Sequence, residues 1–274
     1  MADYRDTELG QQTVYPTRYD PALLYPIARS KGRSEIGLAG ALPFCGHDLW
    51  TAYELSWLQP GGLPGVAIAE ISVPADSPNI IESKSFKLYL NSLNQQVVAG
   101  QFELQKLLAD DLSRAAGAAV GVTIYALEEY AALRPIGEPH GLCIDHQTIT
   151  VDSYQRGQVT PQAAAGELVT ELLYSHLLRT NCPVTDQPDW ASIYIAYTGP
   201  KIDREALLRY LVSYRSHQDF HEQCIEAITA DLLNHCRPQQ LTVTGRYTRR
   251  GGLDINPQRS VGPPILFGVR QVRQ

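Results

Sequence analysis

The feature that most constrains the fold of this 274-residue chain is a repeated order of sequence patterns. FELQKLLADDL begins at residue 102 and FHEQCIEAITADL at residue 220, and a strand-like run follows each of them, VTIY in the first half and LTVT in the second. Earlier in each half, DLWTAY near residue 48 resembles DWASIY near residue 189. Several such matches in one order indicate two related halves of a ββαα-then-ββ kind.

The periodicity of apolar residues predicts the elements of both halves. The predicted strands are 48–58, 66–75, 120–130, 148–154, 190–199 and a last one beginning at 241. The predicted helices are 82–93, 102–117, 203–217 and 220–236, whereas the apolar run 163–180 fits either type. We expect an α+β fold of antiparallel strands with paired helices on one face. Its expected parts are an extended N-terminal arm over the surface (1–45), an N-terminal module (46–145) and a C-terminal module (146–274).

Composition narrows the class of protein. The net charge of -6 is mild and its signs are mixed, so no basic stripe suggests binding to nucleic acid. The five cysteines form no CxxC pair, and an odd number of cysteines indicates a reducing compartment. The polar N-terminus has no apolar signal core, and no apolar run approaches the ~20 residues that span a bilayer. We therefore expect a soluble, cytoplasmic protein.

A short loop carries the first candidate for chemistry. In RTNCPVTDQPDW, Cys182 stands between an asparagine and a proline, and Asp189 follows seven residues later. A thiol attacks only as thiolate, which a nearby carboxylate disfavours. Asp189 is therefore a better candidate for an acid that protonates the group the thiolate attacks. The alternative is a buried apolar cysteine without catalytic function.

Other polar clusters suggest binding. ESKSFK (82–87) and the RRGG turn (249–252) offer hydroxyls, cations and flexible backbone to an anionic nucleotide, or they are solvated surface. His221 and Glu222 could contact the edge of a heterocycle. Neither GxGxxG, GxxxxGK[ST] nor GxSxG occurs, which excludes the usual dinucleotide, P-loop and hydrolase motifs. An alternative interpretation is a metal site formed by four residues, His217, His221, Cys224 and Cys236.

Five motifs together resemble one enzyme family. LPFCGHDLWTAYELSWL, NIIESKSFKLYLNS, NCPVTDQPDWASI, FHEQC and YTRRGGLDINP resemble the NADPH-dependent 7-cyano-7-deazaguanine reductases in their long, two-module form. The resemblance runs from about residue 19 to near the end of the chain. It implies tandem tunnelling-fold modules, with one site built between ESKSFK of the first half and the Cys182 loop of the second.

The resemblance also implies a role for each site residue. Cys182 would add to the nitrile carbon to form a thioimide, and Asp189 would protonate the nitrile nitrogen. The substrate would be held by Glu82, Glu222 and His221 with the backbone of Ile81 and Ser83. Two NADPH molecules per turnover would bind in succession at Ser83, Lys84, Arg250 and Gly251, and no metal is implied.

The wider implications concern pathway and assembly. The product would be 7-aminomethyl-7-deazaguanine, a precursor in the queuosine modification of tRNA, and the protein would be a homodimer without direct contact to nucleic acid or membrane. Two other functions stay open: a zinc-dependent pterin or purine cyclohydrolase on the same scaffold, and a non-catalytic purine-binding protein.

Overall fold

The computed structural model describes residues 15–265 and 270–274, so the first 14 residues of the predicted arm lie outside it. The strands are β1 (Pro26–Ala28), β2 (Cys45–Leu58), β3 (Pro64–Pro74), β4 (Asn79–Ile81), β5 (Gly121–Tyr125), β6 (Leu142–Cys143), β7 (Ala163–Asn181), β8 (Pro188–Ile202), β9 (Gln240–Tyr247) and β10 (Leu253–Val261). The helices are α1 (Arg29–Glu35), α2 (Ser83–Ser92), α3 (Gln101–Ala116), α4 (Leu127–Leu133), α5 (Arg204–Ser213) and α6 (His221–Cys236).

One large sheet organises the described residues. Its eight strands have the order β5-β3-β2-β10-β9-β8-β7-β6, and β1 and β4 form a separate two-stranded sheet. Every pairing is antiparallel except that of β6 with β7. This is the α+β class expected from the sequence, and it agrees with tandem tunnelling-fold modules.

The two halves repeat the same topology. In the first half β2, β3, α2, α3 and β5 follow in order, and in the second half β7, β8, α5, α6 and β9 do so. In both, the strand after the helices pairs with the second strand. The match of DLWTAY to DWASIY is therefore not an equivalence, because DLWTAY lies in a first strand and DWASIY in a second. The boundary at residues 145 and 146 stays a prediction.

Local sequence sets the ends of the helices. The Glu82 carboxylate accepts hydrogen bonds from the backbone N–H groups of Lys84 and Ser85 and so caps α2. Asp203 caps α5 in the same way. Gly117 ends α3 with a φ of 71°, in the left-handed region that glycine adopts without steric cost. The caps satisfy backbone groups that a helix end would otherwise leave without partners.

The core has two apolar clusters on the helix side of the large sheet. The first packs Trp50, Phe86 and Leu108 together with residues of β3, β5 and β10. The second packs Ile193, Leu211 and Ile228 with residues of β7 and β9. Each helix pair buries its apolar stripe against the sheet, which is the main stabilising contribution to such a layer.

Two of the predicted elements differ from the structure. Residues 148–154 form no strand: the segment joins no sheet, and Ile149 packs against the second cluster. The predicted strand 120–130 ends at Tyr125 and continues as α4. The ambiguous run 163–180 is β7. Strand β10 was not predicted from the sequence; it lies between β2 and β9 although Pro257 stands within it.

The arm is more ordered than an extended surface segment. Leu24 is buried, β1 pairs with β4, and α1 buries Arg29 and Arg33. The prediction of an extended arm was wrong for this part, because buried carboxylates of β2 and α6 pair with these two arginines of α1. Among the helices of the described residues, none is both long and apolar enough to cross a bilayer.

The β2–β10 junction yields a stability prediction. Gly46 has a φ of 152°, and a Cβ placed on it would lie 2.0 Å from the carbonyl oxygen of Gln258. We expect Gly46→Ala to lower the free energy of unfolding by about 3 kcal/mol, because the strands must separate locally. Urea unfolding measures the change. Gly121→Ala is the control, since its Cβ would meet Ser72 at an ordinary 3.8 Å. Equal stability of the two variants would contradict the prediction.

Candidate active site

Two adjoining pockets lie where the halves meet. The inner pocket is lined by Trp50 of β2, Cys182 and Asp189 of the second half, and His221 and Glu222 of α6. The outer pocket is lined by Glu82, Lys84, Thr185 and Gln187, among others. Both pockets share four residues, Ser83, Lys87, Cys182 and Arg250.

The Cys182 loop is a closed turn between β7 and β8. The Cys182 N–H donates to the carbonyl of Gln187 at 2.9 Å, and the Asp186 N–H donates to the carbonyl of Cys182 at 2.9 Å. Asp186 adopts a φ of 56°, which aspartate tolerates better than most residues. The side chain of Cys182 is 6% exposed at the junction of both pockets. The turn therefore fixes where the thiol points.

The surroundings of the thiol favour the thiolate. Burial disfavours it, but the Thr185 hydroxyl, the N–H groups of Val184 and Thr185, and Arg250 all donate toward the sulfur. Together they lower the pKa of the Cys182 thiol below its usual value. The donors come from residues next to the cysteine and from the RRGG turn, so the sulfur lies in an anion-binding turn.

Asp189 is held by two cationic or donor side chains. Its carboxylate lies 3.2 Å from Nε2 of His221 and 3.4 Å from Nη1 of Arg250. Burial raises the pKa of Asp189, but the hydrogen bond from His221 and the positive charges of His221, Arg250 and Lys87 outweigh burial and lower it. Without a ligand, Asp189 is therefore a carboxylate in contact with a potential proton donor.

The first turn of α6 supplies the other end of the inner pocket. The ring of His221 stacks on Tyr247 with 3.7 Å between ring centroids, which fixes its plane. Its Nδ1 is buried without a hydrogen-bond partner. Glu222 is 3% exposed, and burial, followed by the charge of Asp48, raises its pKa to about 8. At neutral pH Glu222 is therefore a protonated acid within reach of a ligand.

Residues of ESKSFK occupy both pockets. Ile81 and Ser83 line the inner pocket. Glu82 and Lys84 line the outer one, and both oxygens of Glu82 already accept from backbone N–H groups at 2.9 Å and 2.7 Å. The predicted pair of Glu82 and Glu222 is thus divided between adjoining pockets. A carboxylate retains further lone pairs, so the cap leaves Glu82 able to accept from a ligand.

The rim of the pockets is cationic. Arg250 donates to Gln187 at 3.0 Å, and Gly251 follows it with a φ of 61°. A Cβ on Gly251 would lie 3.1 Å from the side chain of Lys87. No binding role of its own was predicted for Lys87 from the sequence, although Lys87 stands one turn after Ser83 on α2 and lines both pockets. Helical spacing from Ser83 is the signal that points to it.

The competing metal site has no geometric support. His217 contacts Asp219 at 3.3 Å, His221 contacts Asp189, and Cys224 is buried within α6. Cys236 stands at the far end of the same helix. Within residues 15–265 and 270–274, no group of three or more His, Cys, Asp or Glu side chains is arranged to hold a metal ion.

The donors around the sulfur yield a prediction. Thr185→Val removes one hydroxyl and should raise the pKa of Cys182, because the thiolate loses a hydrogen bond. We expect about tenfold slower alkylation of Cys182 by iodoacetamide at pH 7 if the pKa rises by about one pH unit. Mass spectrometry of the Cys182 peptide over a pH series gives the rate. The exposed Thr150→Val is the control, and an unchanged pH–rate profile in Thr185→Val would refute this account of the thiol.

Comparison with known proteins identifies the family of this chain. Residues 15–124 match the family model "Nitrile reductase, 7-cyano-7-deazaguanine-reductase N-term", and residues 188–264 match the model "QueF-like protein". An NADPH-dependent 7-cyano-7-deazaguanine reductase of Azoarcus sp. is 55% identical over 253 residues, 92% of this chain and 89% of the relative. One of Bordetella pertussis is 52% identical over 269 residues, 97% of each.

A solved structure is more distant. The crystal structure of the archaeosine synthase QueF-Like in the apo form covers 37% of this chain and 100% of its own, at 18% identity and a TM-score of 0.31, too low to support any inference. The two curated relatives, by contrast, extend over nearly the whole chain. The chain belongs to the family of NADPH-dependent 7-cyano-7-deazaguanine reductases.

Proposed function

We infer that the protein uses NADPH to reduce the nitrile of 7-cyano-7-deazaguanine to the amine of 7-aminomethyl-7-deazaguanine, a step of queuosine biosynthesis. The observation that carries this inference is the inner pocket. It combines a thiol whose pKa is lowered, a carboxylate paired with histidine, and a buried acid suited to a heterocycle. The names of the curated relatives identify the substrate and the reductant.

Cys182 is the proposed nucleophile. Its thiolate adds to the nitrile carbon, one C–N π bond breaks, and the nitrogen takes a proton, which gives a covalent thioimide. The addition is useful because a thioimide accepts hydride more readily than a nitrile does. Donors at Val184, Thr185 and Arg250 stabilise the thiolate before attack, and they stabilise it again when it leaves.

Asp189 is the proposed acid, and it needs a neighbouring group that supplies its proton. Without ligand it is ionised, so it must first gain a proton. A neutral heterocycle placed over Asp189 would exclude water and raise the pKa of its carboxyl. His221, with Nε2 at 3.2 Å, is placed to pass a proton to it. Asp189 and His221 therefore act as a relay that ends at the nitrile nitrogen.

The deazaguanine is held by the other pocket residues. Its ring N–H and amino groups are donors, and the carboxylates of Glu222 and Glu82 are acceptors for them. His221 lines the same pocket, and the backbone of Ile81 and Ser83 closes the side toward α2. This set would hold the donor edge of the ring at α6 and direct the nitrile toward Cys182.

The cationic rim fits the phosphates of NADPH. Ser83, Lys84, Arg250 and Gly251 are the proposed contacts, and Lys87 joins them because it lines both pockets. Two NADPH molecules, bound in succession, would supply the two hydrides that, with two protons, convert the nitrile to the amine. Arg250 contacts Asp189 and the sulfur of Cys182, and so connects the rim to the reacting groups. Covalent attachment through Cys182 retains the half-reduced substrate until hydride arrives.

We propose that the protein works as a homodimer in the cytoplasm. In the described part of the chain, β5 at one edge of the large sheet pairs with β3 alone. An open sheet edge of this kind presents unpaired backbone groups that a second copy can cover. Closure of a barrel by two chains would also follow from the tunnelling fold. Nucleic acid and membrane have no part in the proposed function.

The covalent intermediate gives the first test. We expect incubation with 7-cyano-7-deazaguanine alone to add the mass of the nitrile to the wild-type protein, as seen by intact-mass spectrometry. Cys182→Ala should show no adduct and no consumption of NADPH at 340 nm. The exposed Cys45→Ala should behave as wild type. We expect two NADPH consumed per nitrile. An active protein without adduct, or a ratio of one, would contradict the mechanism.

The raised pKa of Glu222 gives a second test. Glu222 is protonated in the free protein below pH 8, whereas the ring donors require a carboxylate. Binding at pH 7 should therefore release up to one proton, and affinity should rise with pH until about 8 and then level. Calorimetry in buffers of different ionisation enthalpy measures the release. The Cys182→Ala background removes protons taken up by addition.

The variants that control this test replace a glutamate by glutamine, which has nearly the same shape without the ionisable group. Glu222→Gln should bind the nitrile without releasing a proton and without the pH slope. Glu128→Gln, on the exposed side of α4, should release as many protons as the parent. Proton uptake by the parent protein would show that Glu222 does not ionise on binding.

A further inference from the structure

We propose that helix α1 of the N-terminal arm is a positioning element of the substrate pocket, and that its Arg29 supplies the counter-charge for Glu222 when the substrate binds. The inference rests on the proposed function in one respect, the role of Glu222 as acceptor for the substrate. Its structural part, the effect of α1 on Glu222, stands on contacts within the ligand-free protein.

The first contact is steric. Gly32 of α1 packs so closely on α6 that a Cβ at this position would lie 1.8 Å from Nε2 of Gln223. Gln223 follows Glu222 directly, in the first turn of α6. One turn later, Arg33 donates to both oxygens of Glu226 at 2.9 Å and 2.7 Å. Helix α1 therefore fixes the first turns of α6, where His221 and Glu222 stand.

The second contact is a buried network of charges. Arg29 donates to Asp48 of β2 at 2.5 Å and lies 3.8 Å from Glu226. Arg259 of β10 bridges the same two carboxylates at 2.8 Å and 2.9 Å. The side chains of this network, Arg33 included, are at most 10% exposed. Screening by solvent is weak at such a depth, so the charges act on each other strongly.

The network has one positive charge in excess. Arg29, Arg33 and Arg259 face the carboxylates of Asp48 and Glu226, which is three cations against two anions. Glu222 is the third carboxyl, one turn before Glu226 on the same helix. If Glu222 ionises, the count becomes three against three. The network therefore already holds the positive charge that would balance an ionised Glu222, the carboxylate that the substrate requires.

The charged groups that act on Glu222 come from three other elements. Burial is the largest cause of its raised pKa, and the charge of Asp48 adds to it. Arg29 of α1 and Arg259 of β10 oppose the rise. Glu226 lies on α6 itself, and both Arg29 and Arg259 pair with it. Removing Arg29 should therefore make ionisation of Glu222 harder and substrate binding weaker.

The test begins with the ligand-free protein, in which carbon-13 NMR follows the carboxyl of Glu222 and Glu222→Gln assigns the signal. In Arg29→Gln the pKa of Glu222 should rise by about one pH unit, with affinity for 7-cyano-7-deazaguanine at pH 7 falling about tenfold. Lys31→Gln is the matched control, since it removes one charge from the exposed face of the same helix. Equal pKa values of Glu222 in Arg29→Gln and Lys31→Gln would overturn the proposal.

A double variant distinguishes an effect of the Arg29 charge from an effect of Arg29 on folding. Arg29→Gln with Asp48→Asn removes one cation and one anion, so the excess of one positive charge returns. Its pKa for Glu222 should move back toward the wild-type value, whereas a merely structural role of Arg29 predicts further loss of stability and no return. Failure to return would count against the proposal. The NMR result needs no catalysis, so a failed nitrile reduction would leave it interpretable.

Discussion

The arrangement of the whole molecule depends on the buried ion pairs around Arg259. This fully buried side chain of β10 contacts Asp48 of the first half and Glu226 of the second, and the arm adds Arg29 and Arg33 to the same carboxylates. A buried charge without its partner is strongly destabilising, on the order of 3–5 kcal/mol. The network therefore ties the two halves and α1 into one relative position, and Glu222 of the inner pocket stands one turn before Glu226 on the same helix.

The chemistry of the inner pocket depends on this relative position of the two halves. Because β10 joins the sheets of both halves, the RRGG turn before it brings Arg250 against the Cys182 loop and Lys87 of α2. One guanidinium then contacts the carboxylate of Asp189 and the sulfur of Cys182. Neither half alone has both the thiol and the cationic rim, so the site exists only where the halves meet.

The sequence predicted what local patterns determine. Alternation of apolar and polar residues identified β2, β3 and β8, and the helical periodicity of apolar residues identified α3 and α5. Cys182 and Asp189 were paired through a short loop, and the structure places them in one pocket. The role of each site residue stays a prediction.

The missed elements depend on distant partners. Strand β10 was not predicted because it contains Pro257, and a proline usually interrupts a strand. The strands on both sides nevertheless hold β10 in the sheet. Helix α1 was taken for a surface arm because buried arginines have no local signature. Thr185 had no periodic signal either, since its effect on Cys182 comes from the shape of a turn.

The Cys182 sulfur and Glu222 stand at two ends of the inner pocket and favour opposite charge states in the free protein. Different side chains stabilise each state. At the sulfur, donors from a turn and from Arg250 favour the anion before the substrate arrives. At Glu222, burial favours the neutral acid in the free protein. In the proposed complex the ring donors replace its proton, and the excess positive charge of the arginines compensates the new carboxylate. Glu222 then gains its negative charge only when the substrate binds, whereas the donors around the sulfur are already in place before it arrives.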